Sequence, residues 1–181
     1  MGKHRLRYFG DPVLRKHCEP IEEITDEIKE LAADMVEMCK QYKGAGIAAP
    51  QLGVPIRMFM LHNYDVLPDG QWVLGPPIFF INPKVLTKSK ETNTDTEGCL
   101  SIPGFHAGPV ERPNQVTVEA LDLEGNTFID EREGLNARVF FHENDHLNGV
   151  LYTDRLPPRV KKKFEPQLLK IKKSEAKSPT S

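Results

Sequence analysis

The sequence predicts an α+β fold in which antiparallel β-sheets pack around a central helix. Three observations carry this. Apolar residues recur at helical spacing over residues 25–42 and again over 133–146. Between those stretches lie short apolar or alternating runs punctuated by Gly, Pro and Asn, as in strands and turns. The order is therefore helix, several strands, helix, which segregates the two element types instead of alternating them.

In chain order, Ile28, Leu31, Ala32, Met35, Met38, Cys39 and Tyr42 fall on one side of the first helix, with acids in its first turn and Gly44 as its stop. Residues 56–61 form an apolar run, and 78–86 a second one broken by Pro83. Val116, Val118 and Ala120 alternate with Thr117 and Glu119, as in a half-buried strand; Glu124-Gly125-Asn126 then turns the chain into residues 127–130. Residues 63–75 and 89–96 read as polar or turn-rich loops. In the central helix, from about Glu133, Leu135, Val139, His142 and His146 share one stripe, and Gly149 ends it. After Pro157 the chain is rich in lysine. Val160, Phe164, Leu168 and Ile171 would give a C-terminal helix one apolar face, but Pro166 interrupts it, and residues 174–181 read as disordered. The chain thus divides into a folded unit over 1–157 and a partly disordered tail over 158–181.

With 181 residues there is room for one good core and not for two typical domains. A net charge of −2 makes no electrostatic case for a specific nucleic acid or for a membrane. No apolar run is long enough to span a bilayer, and the first residues lack the apolar core of a secretory signal. Met1 to Arg7 is basic but short for a transit peptide. Three cysteines without secretory context suggest reduced thiols in a cytosol-like compartment.

The chemistry concentrates in His142-Glu143-Asn144-Asp145-His146. Residues four apart stand on one helix face, so two imidazoles here can bind one metal ion. Glu143 lies close enough to handle a proton on a water held there. Leu135 and Val139 would line the same surface one and two turns earlier. A third protein ligand is needed, and its identity decides the class. The longer pattern H-E-x-x-H-x-x-G-x-x-H is followed through Gly149 but has Tyr152 at its last position, where a neutral phenol is a poor ligand. Asp154 and Glu165 are carboxylate candidates. Cys99, in Glu97-Gly98-Cys99-Leu100-Ser101, is the stronger one, because a thiolate suits zinc or ferrous iron. Cys18 and Cys39 read instead as small buried side chains.

A third segment, Gly44-Ala45-Gly46-Ile47-Ala48-Ala49-Pro50-Gln51, matches G-x-G-x-x-A. A dinucleotide loop needs a strand before the glycines and a helix after them. Here a helix precedes, and Pro50 forbids a regular helix immediately after. The glycines would let a substrate backbone approach closely, and Gln51 offers an amide donor.

Together, Gly44 to Gln51, Glu97 to Ser101 and His142 to His146 resemble, in this order and spacing, the three motifs of the peptide deformylase family. The opening Gly10-Asp11-Pro12-Val13-Leu14-Arg15 is also similar to that family's start, and the resemblance runs from about Leu6 to Arg155. It implies that residues 1–157 are a catalytic domain that removes the N-formyl group from the N-terminal methionine of newly made polypeptides, by attack of metal-bound hydroxide on the formyl carbonyl. It further implies that Cys99, His142 and His146 bind one divalent metal ion, Fe²⁺ in cells, with Zn²⁺ or Ni²⁺ an option in purified protein. Glu143 would move the proton, while Gln51 and the backbone N–H of Leu100 would face the oxyanion. Gly46 would hydrogen-bond the substrate chain, and Ala45, Leu135 and Val139 would form an apolar pocket for the methionine. The implied partners are N-formylmethionyl nascent peptides and the ribosome surface. The implied location is a bacterial-type cytoplasm, or an organelle if a transit peptide has been removed.

The chain departs from the family where Ser101-Ile102-Pro103-Gly104-Phe105-His106 lacks a customary arginine, and the stretch to Arg112 is one residue longer. Asp145 would orient a ligand histidine or pair with Arg112. Two other classes fit the residues alone: a zinc peptidase with a carboxylate ligand, and a non-catalytic module with four protein ligands.

Overall fold

The computed structural model describes residues 3–175. Helix α1 (Asp26–Gln41) is capped by Thr25 and Tyr42, within a residue of the sequence reading. Its end differs in detail. Lys43, not Gly44, takes the left-handed conformation (φ 54°), and the Gly44 N–H donates to Cys39 O at 2.9 Å, closing a Schellman-type cap. Gly44 is left to meet the Leu100 side chain, which a Cβ there would approach to 2.9 Å.

Strands β1 (Gly46–Ala48), β2 (Met58–Val66), β3 (Trp72–Lys88), β6 (Gln115–Leu121) and β7 (Thr127–Glu133) form one antiparallel sheet in the order β1-β2-β3-β6-β7. Strands β4 (Thr92–Cys99) and β5 (Ile102–Pro113) make a separate antiparallel hairpin. Helix α2 (Gly134–His146) is the central helix and lies against β1, β2, β7 and β5. Gly149 supplies its stop: φ is 69°, and the Val150 N–H donates to Asp145 O at 3.0 Å. A Cβ on Gly149 would stand 2.5 Å from Arg15 O, so the cap is also a close crossing of two chain segments.

The segments that read as loops are largely strand, with turns left at residues 67–71 and 89–91. Residues 63–75 belong to the long β2–β3 hairpin, with Val66 paired to Trp72. Pro83 does not break β3. The register shifts there between Ile81 and Lys84, and Asn82, at φ 50°, uses its side chain to bond the Ile21 backbone. β4 escapes a hydrophobicity reading because the one side chain it buries is a carboxylate, Glu97. His106 lies on β5, not in a loop, and its ring covers Gly98.

The core has three parts. α1 packs Leu31, Met35 and Cys39 on Ile47, Met58, Met60 and Ile81. α2 packs Ala137 and Phe140 on Phe59 and Phe80, whose rings stack at 5.0 Å. The third part corrects the expectation at Pro166. Helix α3 (Pro158–Glu175) runs straight through that proline. An interior proline costs about 3 kcal/mol. It is offset here because Val160, Phe164, Leu168 and Ile171 all land on Phe9, Ile102, Phe105, Leu151 and Leu156. Ser174 is therefore helical, and residues 176–181, expected to be disordered, lie outside the described residues. No helix among the described residues is long and apolar enough to cross a membrane.

Candidate metal centre and active-site cleft

α2 presents His142 and His146 one turn apart, with ring centroids 5.2 Å from each other. The two-residue turn between β4 and β5 carries Cys99 to the same point, with Sγ 3.4 Å from His146 Nε2. One donor atom from each of Cys99, His142 and His146 falls within 4.8 Å of the others. The carboxylate candidates are elsewhere. Asp154 accepts from Arg15 and from the Leu151 N–H, and Glu165 is exposed on α3. Tyr152 is beside the site but stacks its ring on His142, with centroids 6.1 Å apart, and its hydroxyl donates to Phe105 O.

The donors are oriented from behind by a buried charge cluster that the sequence motifs did not disclose. Glu97 Oε2 accepts from His142 Nδ1 at 2.8 Å, which leaves Nε2 as that ring's free donor position. The same carboxylate receives a two-pronged bond from Arg112 (2.9 Å twice) and another from Arg138 (2.9 Å). Burial opposes the charge on Glu97, but Arg112 and His142 outweigh it and hold the carboxyl far below the usual range. Asp145 takes the second of its two expected roles. It accepts from Arg112 at 2.5 Å and from Arg155, and touches neither ligand histidine. The sequence signal for this cluster was slight: a glutamate two residues before a cysteine, Arg112 as a pairing option for Asp145, and Arg138 inside an apolar run.

The electrostatics fit a cation. Burial lowers the pKa of His146, leaving a neutral imidazole whose lone pair is available. Burial also opposes charge on His142, yet hydrogen bonds with Cys99 and Glu97 raise its pKa well above the ordinary value. A soft thiolate with two imidazoles suits Zn²⁺ or Fe²⁺, and three protein ligands leave an open position, as in catalytic sites.

Glu143 stands next to these donors, 4% exposed, with Oε2 lacking a hydrogen-bond partner among the described residues. Burial pushes its carboxyl up to about 7. Gly46 is required by this carboxylate: a Cβ there would lie 2.6 Å from Glu143 Oε1. Gln51, 1% exposed, accepts from the Ala48 N–H through Oε1 at 2.8 Å. That bond fixes the amide so that Nε2 points to Ser101 Oγ (3.0 Å) and Cys99 Sγ (3.5 Å). Ala45, Leu100, Leu135 and Val139 line the same cleft, of about 560 Å³, together with Tyr42 and Tyr64. The structure therefore brings together every site residue that the deformylase resemblance implied and leaves the carboxylate candidates Asp154 and Glu165 outside.

Water activation is the chemistry such a place serves, and the class it defines is the metal-dependent hydrolases. Comparison with known proteins narrows this. The profile of the polypeptide deformylase family matches residues 3–162. Peptide deformylase 1 of Clostridium perfringens is 44% identical over 154 residues, covering 85% of this chain and 98% of the relative. Peptide deformylase of Rhizobium meliloti is 48% identical over 149 residues, 82% of each chain. The crystal structure of peptide deformylase from Thermus thermophilus superposes with a TM-score of 0.84 at 36% identity, covering 94% of this chain and 98% of that one. This chain belongs to the polypeptide deformylase family, metal-dependent hydrolases that remove the N-formyl group from nascent peptides.

Proposed function

We propose that Cys99, His142 and His146 hold one divalent ion, Fe²⁺ in cells and Zn²⁺ or Ni²⁺ in some purified preparations, and that the adjoining cleft seats the formyl-methionyl end of a nascent chain. The observation that carries this is the convergence of those three donor atoms within 4.8 Å beside a buried carboxyl. A divalent ion bound there would polarise a carbonyl oxygen and bring the pKa of water toward neutrality.

The chain's own groups do the rest. Glu143, poised near neutrality by burial, takes the proton of the attacking water and returns it to the departing amine. Gln51 Nε2 and the Leu100 N–H donate to the formyl oxygen as it gains negative charge, and Ala48 and Ser101 keep the Gln51 amide from rotating away. Gly46, on the edge strand of the sheet, offers its backbone to the peptide, and Ala45, Leu135 and Val139 receive the methionine side chain. An unbranched thioether suits an apolar slot of this kind. The exposed lysines of α3, among them Lys162, Lys163 and Lys170, favour a resting place on the phosphate-rich ribosome surface in a bacterial-type cytoplasm.

The test is formate release from a formyl-methionyl peptide by protein purified without air, with metal content measured on the same sample. Turnover proportional to metal, with acetylated peptide left intact, is the expected result. Equal turnover of acetylated and formylated peptides would overturn the assignment.

A further inference from the structure

The β2–β3 hairpin projects a set of large apolar side chains that neither the core nor the cleft uses. Val66 is 56% exposed, Trp72 62% and Leu74 45%. Directly paired residues of an antiparallel ladder point to the same side. Tyr64 pairs with Leu74 and Val66 with Trp72, so these side chains share one face, while Asp65 and Val73 take the other. The Tyr64 and Trp72 rings meet edge to face at 6.3 Å. The face is therefore one continuous surface and not scattered exposure.

Two features join this surface to the cleft. Tyr64 belongs to both, since it also lines the cleft wall. Its place is set by Asn136 of α2, whose side chain accepts from the Tyr64 N–H at 2.8 Å and donates to the Tyr64 carbonyl at 3.2 Å. The neighbouring Asn63, where the strand register shifts, accepts from Arg132 at 2.7 Å. The hairpin is thus pinned one residue from Leu135 at the cleft rim. Direction agrees as well. β1 and β2 are antiparallel, so a path along β1 from Ala48 through Gly46 to Ala45 runs beside β2 toward the hairpin, and the His62 N–H donates to Ala45 O at 2.8 Å on the way.

We propose that this hairpin face is a platform for a large apolar side chain of the substrate peptide, beyond its second residue. The inference rests on the cleft's being the seat of the formyl-methionyl end. It makes Trp72 and Val66 specificity-determining residues and Asn136 the positioning residue that aims them. Selection then acts on the nascent chain's following residues as well as on its first.

The test compares formyl-Met-Ala, formyl-Met-Ala extended by leucines and formyl-Met-Ala extended by serines, on metal-loaded protein. The readout is the ratio of kcat/KM for the leucine peptide to that for the serine peptide. We expect about 5- to 10-fold from partial burial of apolar side chains, carried by KM, and a ratio near 1 in Trp72→Ser and Val66→Ser. Trp72 is the chain's single tryptophan, so its emission reports the same event. In metal-loaded Glu143→Gln protein the leucine peptide should shift that emission to the blue and formyl-Met-Ala should not. A wild-type ratio near 1, an undiminished ratio in both variants, or unmoved emission would each overturn the platform. So would a dimer, seen by light scattering, that Trp72→Ser dissolves, because the face would then belong to a second copy. Failure to deformylate formyl-Met-Ala at all would instead strike the underlying reading.

Discussion

Glu97 Oε2 accepts from His142 Nδ1 at 2.8 Å, and the same carboxylate is the partner of Arg112 and Arg138. One side chain thus orients a metal-type donor and serves as a shared counter-ion of two buried guanidinium groups, with Asp145 as the second partner of Arg112. Glu97→Gln keeps the shape and removes the charge. It should weaken metal binding or activity by roughly 10–100-fold, read by competition with a chelator. Leaving Arg112 without that counter-charge should also cost about 3–5 kcal/mol of stability, read in denaturant. Wild-type metal affinity would dismiss the orienting role.

Cys99→Ala should leave two imidazoles, too few to hold the ion tightly. Metal content after desalting should fall to a small fraction of wild type. A fully metallated Cys99→Ala protein would mean that another residue completes the site, as in the carboxylate-ligated peptidases.

Glu143→Gln separates proton transfer from binding. The rate should fall roughly 10²–10⁴-fold with metal content and melting temperature nearly unchanged. Metal loss in parallel with the rate would recast Glu143 as a ligand or a support.

Gly46→Ala reaches the same carboxylate from the other side. The added methyl would sit 2.6 Å from Glu143 Oε1, so the carboxylate must move. Activity should drop at least ~10-fold, because small displacements of a catalytic group are costly. The metal should stay, and unchanged kcat would sink the packing argument.

Asp154 should contribute a separable pH-dependent part of the stability. Burial opposes its charge, but bonds from Arg15 and the Leu151 N–H, with Lys161 nearby, hold its carboxyl below the ordinary value. A lowered folded pKa gives stability that is present above the unfolded value, about 3.9, and lost as pH falls through the folded one. Asp154→Asn should cost about 1 kcal/mol at pH 7 and progressively less as pH falls through the folded value. A gap that stayed constant with pH would contradict the assignment.

Much of this was legible in the residues. The helix at residues 25–42 announced itself because it buries an apolar stripe, that at 133–146 because Leu135, Val139, His142 and His146 share the face that lines the site, and His142, His146, Glu143 and Cys99 because few residue types do their chemistry. β4 did not, since it buries Glu97 where a strand usually buries a hydrophobe. The continuation of α3 through Pro166 was illegible for a different reason. Local propensity opposes it, and only Phe9, Phe105 and Leu151, distant in sequence, make it worthwhile. Arg112 was legible only as a pairing option for Asp145, and Arg138 hardly at all, because the carboxylate they share, Glu97, is supplied by β4.

The packing of α3 also brings its last turns against the segment at residues 9–10. Lys172 lies so close over Gly10 that a Cβ there would be 2.6 Å from its Cγ, and Phe9 shares a cluster with Leu168 and Ile171. Residues 9–10 and 168–172 are accordingly neighbours, so the chain could be joined across them and opened elsewhere. A circular permutant joined across this contact and opened in the exposed turn at residues 124–126 would keep the metal donors, the Glu97 cluster and both sheets whole.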